Sequence, residues 1–162
     1  PLQGKLTEAR SFQTLSPVDM VEAVARTGKR CIATLHPNET YLPDEIAALD
    51  ALARHFPNLT VGGNSRELLP GAEYVATQNS SVAMDAYLLA RPVVLFAQSD
   101  FHHIALNVAD MGVAEALDYA PAHKAEYAKY LYWRLHEQAI DAMAPYAEER
   151  IRNAMKKGGW PI

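Results

Sequence analysis

Apolar positions along this chain fall into two patterns, short continuous runs and helical spacing, and the two alternate. Ser16-Pro17 supplies a cap and a first-turn proline ahead of Val18, Met20, Val21 and Val24, and Gly28 stops the segment, so the pattern predicts a helix. The run Arg30 to Leu35 predicts a buried strand ended by the turn residues His36-Pro37-Asn38. Pro43-Asp44-Glu45 opens a second helix with Ile46, Leu49, Leu52 and Phe56 on one face, and Pro57-Asn58 separates it from a strand at Leu59-Thr60-Val61. Beyond Gly62-Gly63, Ser65 to Leu69 predicts one or two helical turns. Tyr74-Val75-Ala76 then reads as a strand, Gln78-Asn79-Ser80-Ser81 as a polar turn opening a helix, and Pro92 to Phe96 as another strand. From Pro121 the chain reads as helical almost to its end, with Tyr127, Tyr130, Leu131, Leu135, Ala139 and Ile140 as a packing stripe and Pro145 dividing two helices.

Strands alternating with helices across short links predict the α/β class: a Rossmann-like, doubly wound, mostly parallel sheet over residues 1–120, with a C-terminal helical extension packed on it over 121–162. Ligands of such sheets settle at the carboxyl ends of the strands, here the loops around His36, Gly62, residues 77–81 and residues 97–103. In the turn Gln78-Asn79-Ser80-Ser81, the serine hydroxyls and the free N–H groups of the following helix suit a phosphate. Asp85, one turn further, is placed to accept hydrogen bonds from ribose hydroxyls.

Composition narrows the classes. A chain of 162 residues with 49% hydrophobic and 21% charged residues has the usage of one soluble domain, and no apolar run approaches the roughly 18 residues that span a bilayer. A net charge of −4 with scattered Lys and Arg argues against nucleic acid as a partner. The single cysteine, Cys31, sits in an apolar run and reads as a strand residue of a reducing, cytoplasmic protein. The triplets at Asn38, Asn58 and Asn79 read as turn chemistry. Asp100-Phe101-His102-His103 contains metal-ligand residue types, but adjacent side chains on a turn seldom converge on one ion, so a loop touching substrate is the better reading and no metal or cofactor is expected. Neither a Gly-x-Ser-x-Gly nucleophile motif nor a Gly-x-Gly-x-x-Gly fingerprint is present, which weighs against hydrolase and dehydrogenase chemistry. The chain opens on Pro1-Leu2-Gln3, as though part of something longer.

Thr34-Leu35-His36-Pro37-Asn38-Glu39, Arg66-Glu67-Leu68-Leu69-Pro70, Thr77 to Asp85 and Arg91-Pro92-Val93-Val94 follow one another in an order that resembles the C-terminal, donor-binding half of GT-B glycosyltransferases of the capsular polysaccharide biosynthesis type. The resemblance spans roughly residues 1–110. It implies binding of a nucleotide-sugar donor as substrate without a tightly bound metal, at the cytoplasm or the inner face of the membrane. His36 would meet the donor's base or phosphates, Ser80 and Ser81 the phosphates, Asp85 the ribose, and His102 and His103 would lie in the loop near the sugar. Asp85 stands where the family commonly has Glu. Gln3, Gly4 and Lys5 are weaker phosphate candidates. Because the base for the acceptor usually comes from the N-terminal half, the resemblance implies donor binding with little or no turnover and a missing N-terminal domain as partner, and it names no catalytic residue. Two rivals stand beside it: a nucleotide-sugar 2-epimerase-like or glycerophosphate-polymer transferase domain, and a non-catalytic interaction domain that keeps the fold and has lost its ligand. Separately, Tyr130, Tyr132 and Trp133 on the late helix would, if exposed, cover the missing half or a second copy.

Overall fold

The structure, a computed structural model, describes residues 6–9 and 12–161. The chain divides into two compact units, Pro1–Ala125 and Glu126–Ile162. The first is α/β. Strands β1 (Cys31–Ala33) and β2 (Leu59–Val61) form one parallel pair, and β3 (Val75–Thr77), β4 (Val93–Leu95) and β5 (Leu106–Asn107) form a parallel sheet in the order β3-β4-β5. Helices α1 (Pro17–Ala25), α2 (Pro43–His55), α3 (Ser65–Leu68), α4 (Val82–Leu88), α5 (Val108–Met111) and α6 (Val113–Tyr119) lie before, between and after the strands. Among the described residues no ladder of strand hydrogen bonds joins the two sheets, so the expected single sheet appears as two small parallel ones. Gln3, Gly4 and Lys5 lie outside the described residues.

The core forms around β4. Val93, Val94, Leu95 and Phe96 are all buried, as a continuous apolar run must be when a strand is covered on both faces. Val94 and Phe96 cluster with Leu106, Val108, Ala116, Leu117 and Ala120. Ala120 therefore belongs to this core, and the division into compact units falls after Ala125. Cys31 is half-buried in β1, and burial pushes its thiol pKa up, which makes it a packing residue with little thiolate at neutral pH.

Local chemistry sets the helix ends. Ser16 Oγ accepts from the Asp19 N–H (3.1 Å) to start α1, and Gly28 takes φ +75° beyond its end. The Asn58 side chain donates to the carbonyls of Ala25 (2.8 Å) and Lys29 (2.7 Å), which makes that triplet a helix-end device. At the end of α4 the Arg91 N–H bonds Ala86 O and the Ala90 N–H bonds Tyr87 O, the Schellman pattern, but its left-handed position (φ +51°) holds Ala90 where glycine is usual. Ala90→Gly is therefore expected to stabilise the protein by about 0.5–1 kcal/mol, a rise of roughly 2 °C in Tm on a thermal melt. An unchanged or lower Tm would mean that the Ala90 methyl contributes more than its backbone strain costs.

The second unit contains α7 (Tyr127–Tyr132), a π-helical turn (Trp133–Gln138) and α8 (Ala147–Lys157). The π turn spaces its hydrogen bonds five residues apart, so a stripe written with a 3.6-residue period loses its face there. Tyr130 is buried, whereas Leu135 and Ala139 of the expected stripe are exposed. Residues 139–146 are irregular chain and turns, so the break between the two helices, expected at Pro145, begins six residues earlier. No helix among the described residues is long and apolar enough to cross a membrane.

Candidate functional site

The loop from β3 to α4 forms as the sequence suggests, with one change of roles. Gln78 turns inward: it is buried, its Nε2 donates to Leu15 O (3.1 Å), and its Oε1 has no partner among the described residues. It ties the segment before α1 to the end of β3, an anchoring role in place of the expected ligand contact. Asn79 and Ser81 are exposed and Ser80 is half-buried. Ser80 Oγ accepts weakly from the Val82 N–H (3.3 Å), while the Ser81 side chain makes no capping bond, so its hydroxyl is not consumed by the helix it precedes.

Asp85 lies in the first turn of α4, half-exposed, with Oδ2 3.9 Å from Nε of Arg66 on α3. This contact joins two elements, while the Asn64 side chain donates weakly to the neighbouring Glu67 carboxylate (3.4 Å). At 84% side-chain exposure for Arg66 the pair is worth at most about 1 kcal/mol. Its consequence is placement: an exposed cation stands beside the first turn of the helix that Ser80 and Ser81 precede.

An open cavity of about 570 Å³ lies at the carboxyl ends of β4 and β5. Leu95 and Ala97 form part of its wall together with Phe12, Ser99, His102, Asn107 and Asp110. His102 Nδ1 is hydrogen-bonded to Ser99 O; because a carbonyl only accepts, Nδ1 carries the proton and Nε2 is left as the acceptor in the neutral ring. His102 and His103 stack with centroids 4.3 Å apart. No group of three His, Cys, Asp or Glu side chains capable of holding a metal occurs among the described residues.

His36 stands at the end of β1, exposed, and is occupied in building its own turn: Nδ1 accepts from the Asn38 N–H (3.2 Å) and its own N–H donates to Tyr41 Oη (3.0 Å). It belongs to the β1–β2 pair, whereas Ser80, Ser81, Asp85, His102 and His103 follow strands of the β3-β4-β5 sheet. The structure therefore divides the expected site residues between two sheets. Periodicity missed Phe12, Asn107 and Asp110, which reach the cavity through an antiparallel bridge (Gln13 with Ala97) and a two-residue strand too short to register as a pattern. It also missed Tyr87, buried on α4, whose hydroxyl donates to Phe101 O (3.0 Å) and fastens the loop that carries His102.

Scanned against protein-family models, and searched against curated proteins and solved structures, the chain matches none.

Proposed function

We propose that this chain is a nucleotide-sugar-binding domain of a surface-polysaccharide glycosyltransferase, with its two parallel sheets as parts of a Rossmann-like, doubly wound fold. The observation that carries the reading is the β3–α4–β4 unit: parallel strands whose carboxyl-side loops present Ser80 and Ser81 at one point and His102 at another. Ser80, Ser81 and the Arg66 guanidinium take the diphosphate. Asp85 takes ribose hydroxyls or, through Arg66, positions the cation. His36 and His103 are left with weaker claims, His36 because its turn already uses Nδ1.

Calorimetric titration with UDP, CMP, GDP and their sugar conjugates tests this. One nucleotide should bind saturably, and replacing Ser80 and Ser81 together by Ala should weaken it about tenfold or more, the value of a lost hydrogen bond to a charged group. Unchanged affinity in that variant would remove the phosphate role. Asp85→Ala separates its two roles: weaker binding of nucleoside and nucleotide alike marks ribose contact, and weaker binding of the diphosphate alone marks an effect through Arg66.

A non-catalytic interaction domain is the second reading, favoured by one observation. In the second unit Tyr132, Leu135, Met143, Tyr146, Ile151 and Trp160 are all exposed, more large apolar surface than a small unit usually leaves uncovered. Absence of binding to every nucleotide, together with a concentration-dependent dimer, would favour it.

A further inference from the structure

We propose that α8 docks the protein on an anionic phospholipid surface, with Ile151, Met155 and Trp160 entering the lipid boundary and the bases on both sides of them meeting lipid phosphates. The inference lies outside the nucleotide reading, and either can stand without the other.

The helix carries an apolar stripe. Ala147, Ile151, Ala154 and Met155 recur at helical spacing and so share one face. Ala147 is buried and Met155 half-buried, whereas Ile151 and Ala154 are exposed, so the stripe is covered where the helix starts and open along its middle. At its end the chain turns in a Schellman motif: the Trp160 N–H donates to Met155 O (3.0 Å), the Gly159 N–H donates to Lys156 O (3.0 Å), and Gly159 takes φ +81°. That turn holds the Trp160 backbone against the last turn of α8 and leaves the residue 64% exposed. An indole, apolar over its rings and polar at its N–H, suits the boundary between lipid tails and headgroups.

Charge selects the partner. From Arg150 to Lys157 the helix carries four bases and no acid, in a chain whose net charge is −4. Arg150 and Lys157, seven residues apart, fall on one side of the stripe, and Arg152 and Lys156, four apart, on the other. Glu148 is paired with Arg152 (2.8 Å), and Glu149 falls on the face opposite Ile151. Arg150 keeps its charge while donating to His136 O and Ala139 O (both 3.3 Å), which ties this flank to the preceding turn. An apolar stripe with bases on both flanks is the pattern of a helix lying at the surface of anionic lipid. A second copy fits less well: in an antiparallel twofold contact the flank of Arg150 and Lys157 would face the same flank of its partner, base against base. At 11 residues α8 is about 16 Å long, half the roughly 30 Å of a bilayer core, so it lies along the surface and does not span.

The test is co-sedimentation of the 162-residue chain with vesicles of phosphatidylcholine alone and of equal parts phosphatidylcholine and phosphatidylglycerol. Binding to the anionic vesicles only is expected, falling as salt is raised. Replacing Lys156 and Lys157 together by Gln should weaken it about tenfold or more, and Trp160→Ala about tenfold. These side chains are exposed, so the fold should hold, which circular dichroism verifies. Arg54→Gln, which removes an exposed base from α2, should leave binding unchanged. No binding to either vesicle, equal binding to both, a loss in Arg54→Gln as large as in the lysine variant, or binding unaffected by Trp160→Ala overturns the proposal. A dimer in solution that Ile151→Asp dissociates, with no vesicle binding, overturns it too and assigns the stripe to a second copy.

Discussion

Glu45→Ala should lower the stability of the protein by about 3 kcal/mol, a large part of the roughly 5–15 kcal/mol that holds a domain folded. Glu45 is only 2% exposed, and a carboxylate so deeply buried is tolerated only when its oxygens are bonded. Both are: one accepts from the Leu6 N–H, the other from the Leu42 N–H (2.8 Å) at the start of α2. The site also lies at the positive end of α2, beside Asp44, where negative charge is favourable. Leu6 O in turn accepts from the Val18 N–H (2.9 Å), so this one side chain joins the segment before α1 to the beginnings of two helices. Truncation leaves the buried Leu6 N–H without its acceptor, whereas exposed Leu42 can recover a water. In urea, with a slope of about 2 kcal/mol/M for a domain of this size, the midpoint should fall by roughly 1.5 M, and Glu45→Gln, which keeps one acceptor oxygen, should fall about half as far. A midpoint within about 0.3 M of the parent in Glu45→Ala would show that the segment is held by packing alone.

Much of the first unit was legible because its signals are local. Ser16-Pro17 and Gly28 bracket α1, Pro43 opens α2, and β2 spans the expected Leu59–Val61. Cap residues and prolines act within a few positions, so the sequence states them directly. Strand lengths were overestimated for the same reason: Arg30 to Leu35 is apolar enough for a strand, but only Cys31–Ala33 finds partners in β2. Pairing is a property of the neighbour. β5 was invisible on that ground, since Leu106 and Asn107 become a strand only by aligning with Val94 and Leu95. In the second unit the π turn broke a helical period that the residue pattern carried straight through.

The candidate site was legible in its loops and not in its cavity. That Ser80 and Ser81 follow a strand and precede a helix could be read from residue order, and the structure places them there. That Gln78 turns inward, or that Arg66 reaches Asp85 on another helix, depends on side-chain direction across elements, which spacing does not encode. Phe12 shows the limit most clearly. Nothing in the sequence around it marks an exposed ring at a cavity mouth, because its position is fixed by backbone bonds to residues 96 and 98, far along the chain.

The second large effect is expected at Tyr87, which couples the core to that cavity. Its ring is 1% exposed on α4, so Tyr87→Ala should cost about 4 kcal/mol, the range for removing a buried aromatic side chain. Tyr87→Phe is the more informative change. It keeps the packing and removes the hydroxyl that donates to Phe101 O, leaving a buried carbonyl short of a partner at a cost of about 1–2 kcal/mol. Phe101 sits between Ser99 and His102, which line the cavity, so the lost bond should loosen the loop more than the sheet beneath it. Hydrogen exchange resolves this: amides of residues 99–104 should lose more protection in Tyr87→Phe than those of β4, whose Val93, Val94 and Leu95 stay buried in the core. Equal loss across loop and strand would mean that Tyr87 acts only through global stability. Loss concentrated in the loop would make this hydroxyl the link by which the packed α4–β4 layer fixes His102 and the cavity wall around it.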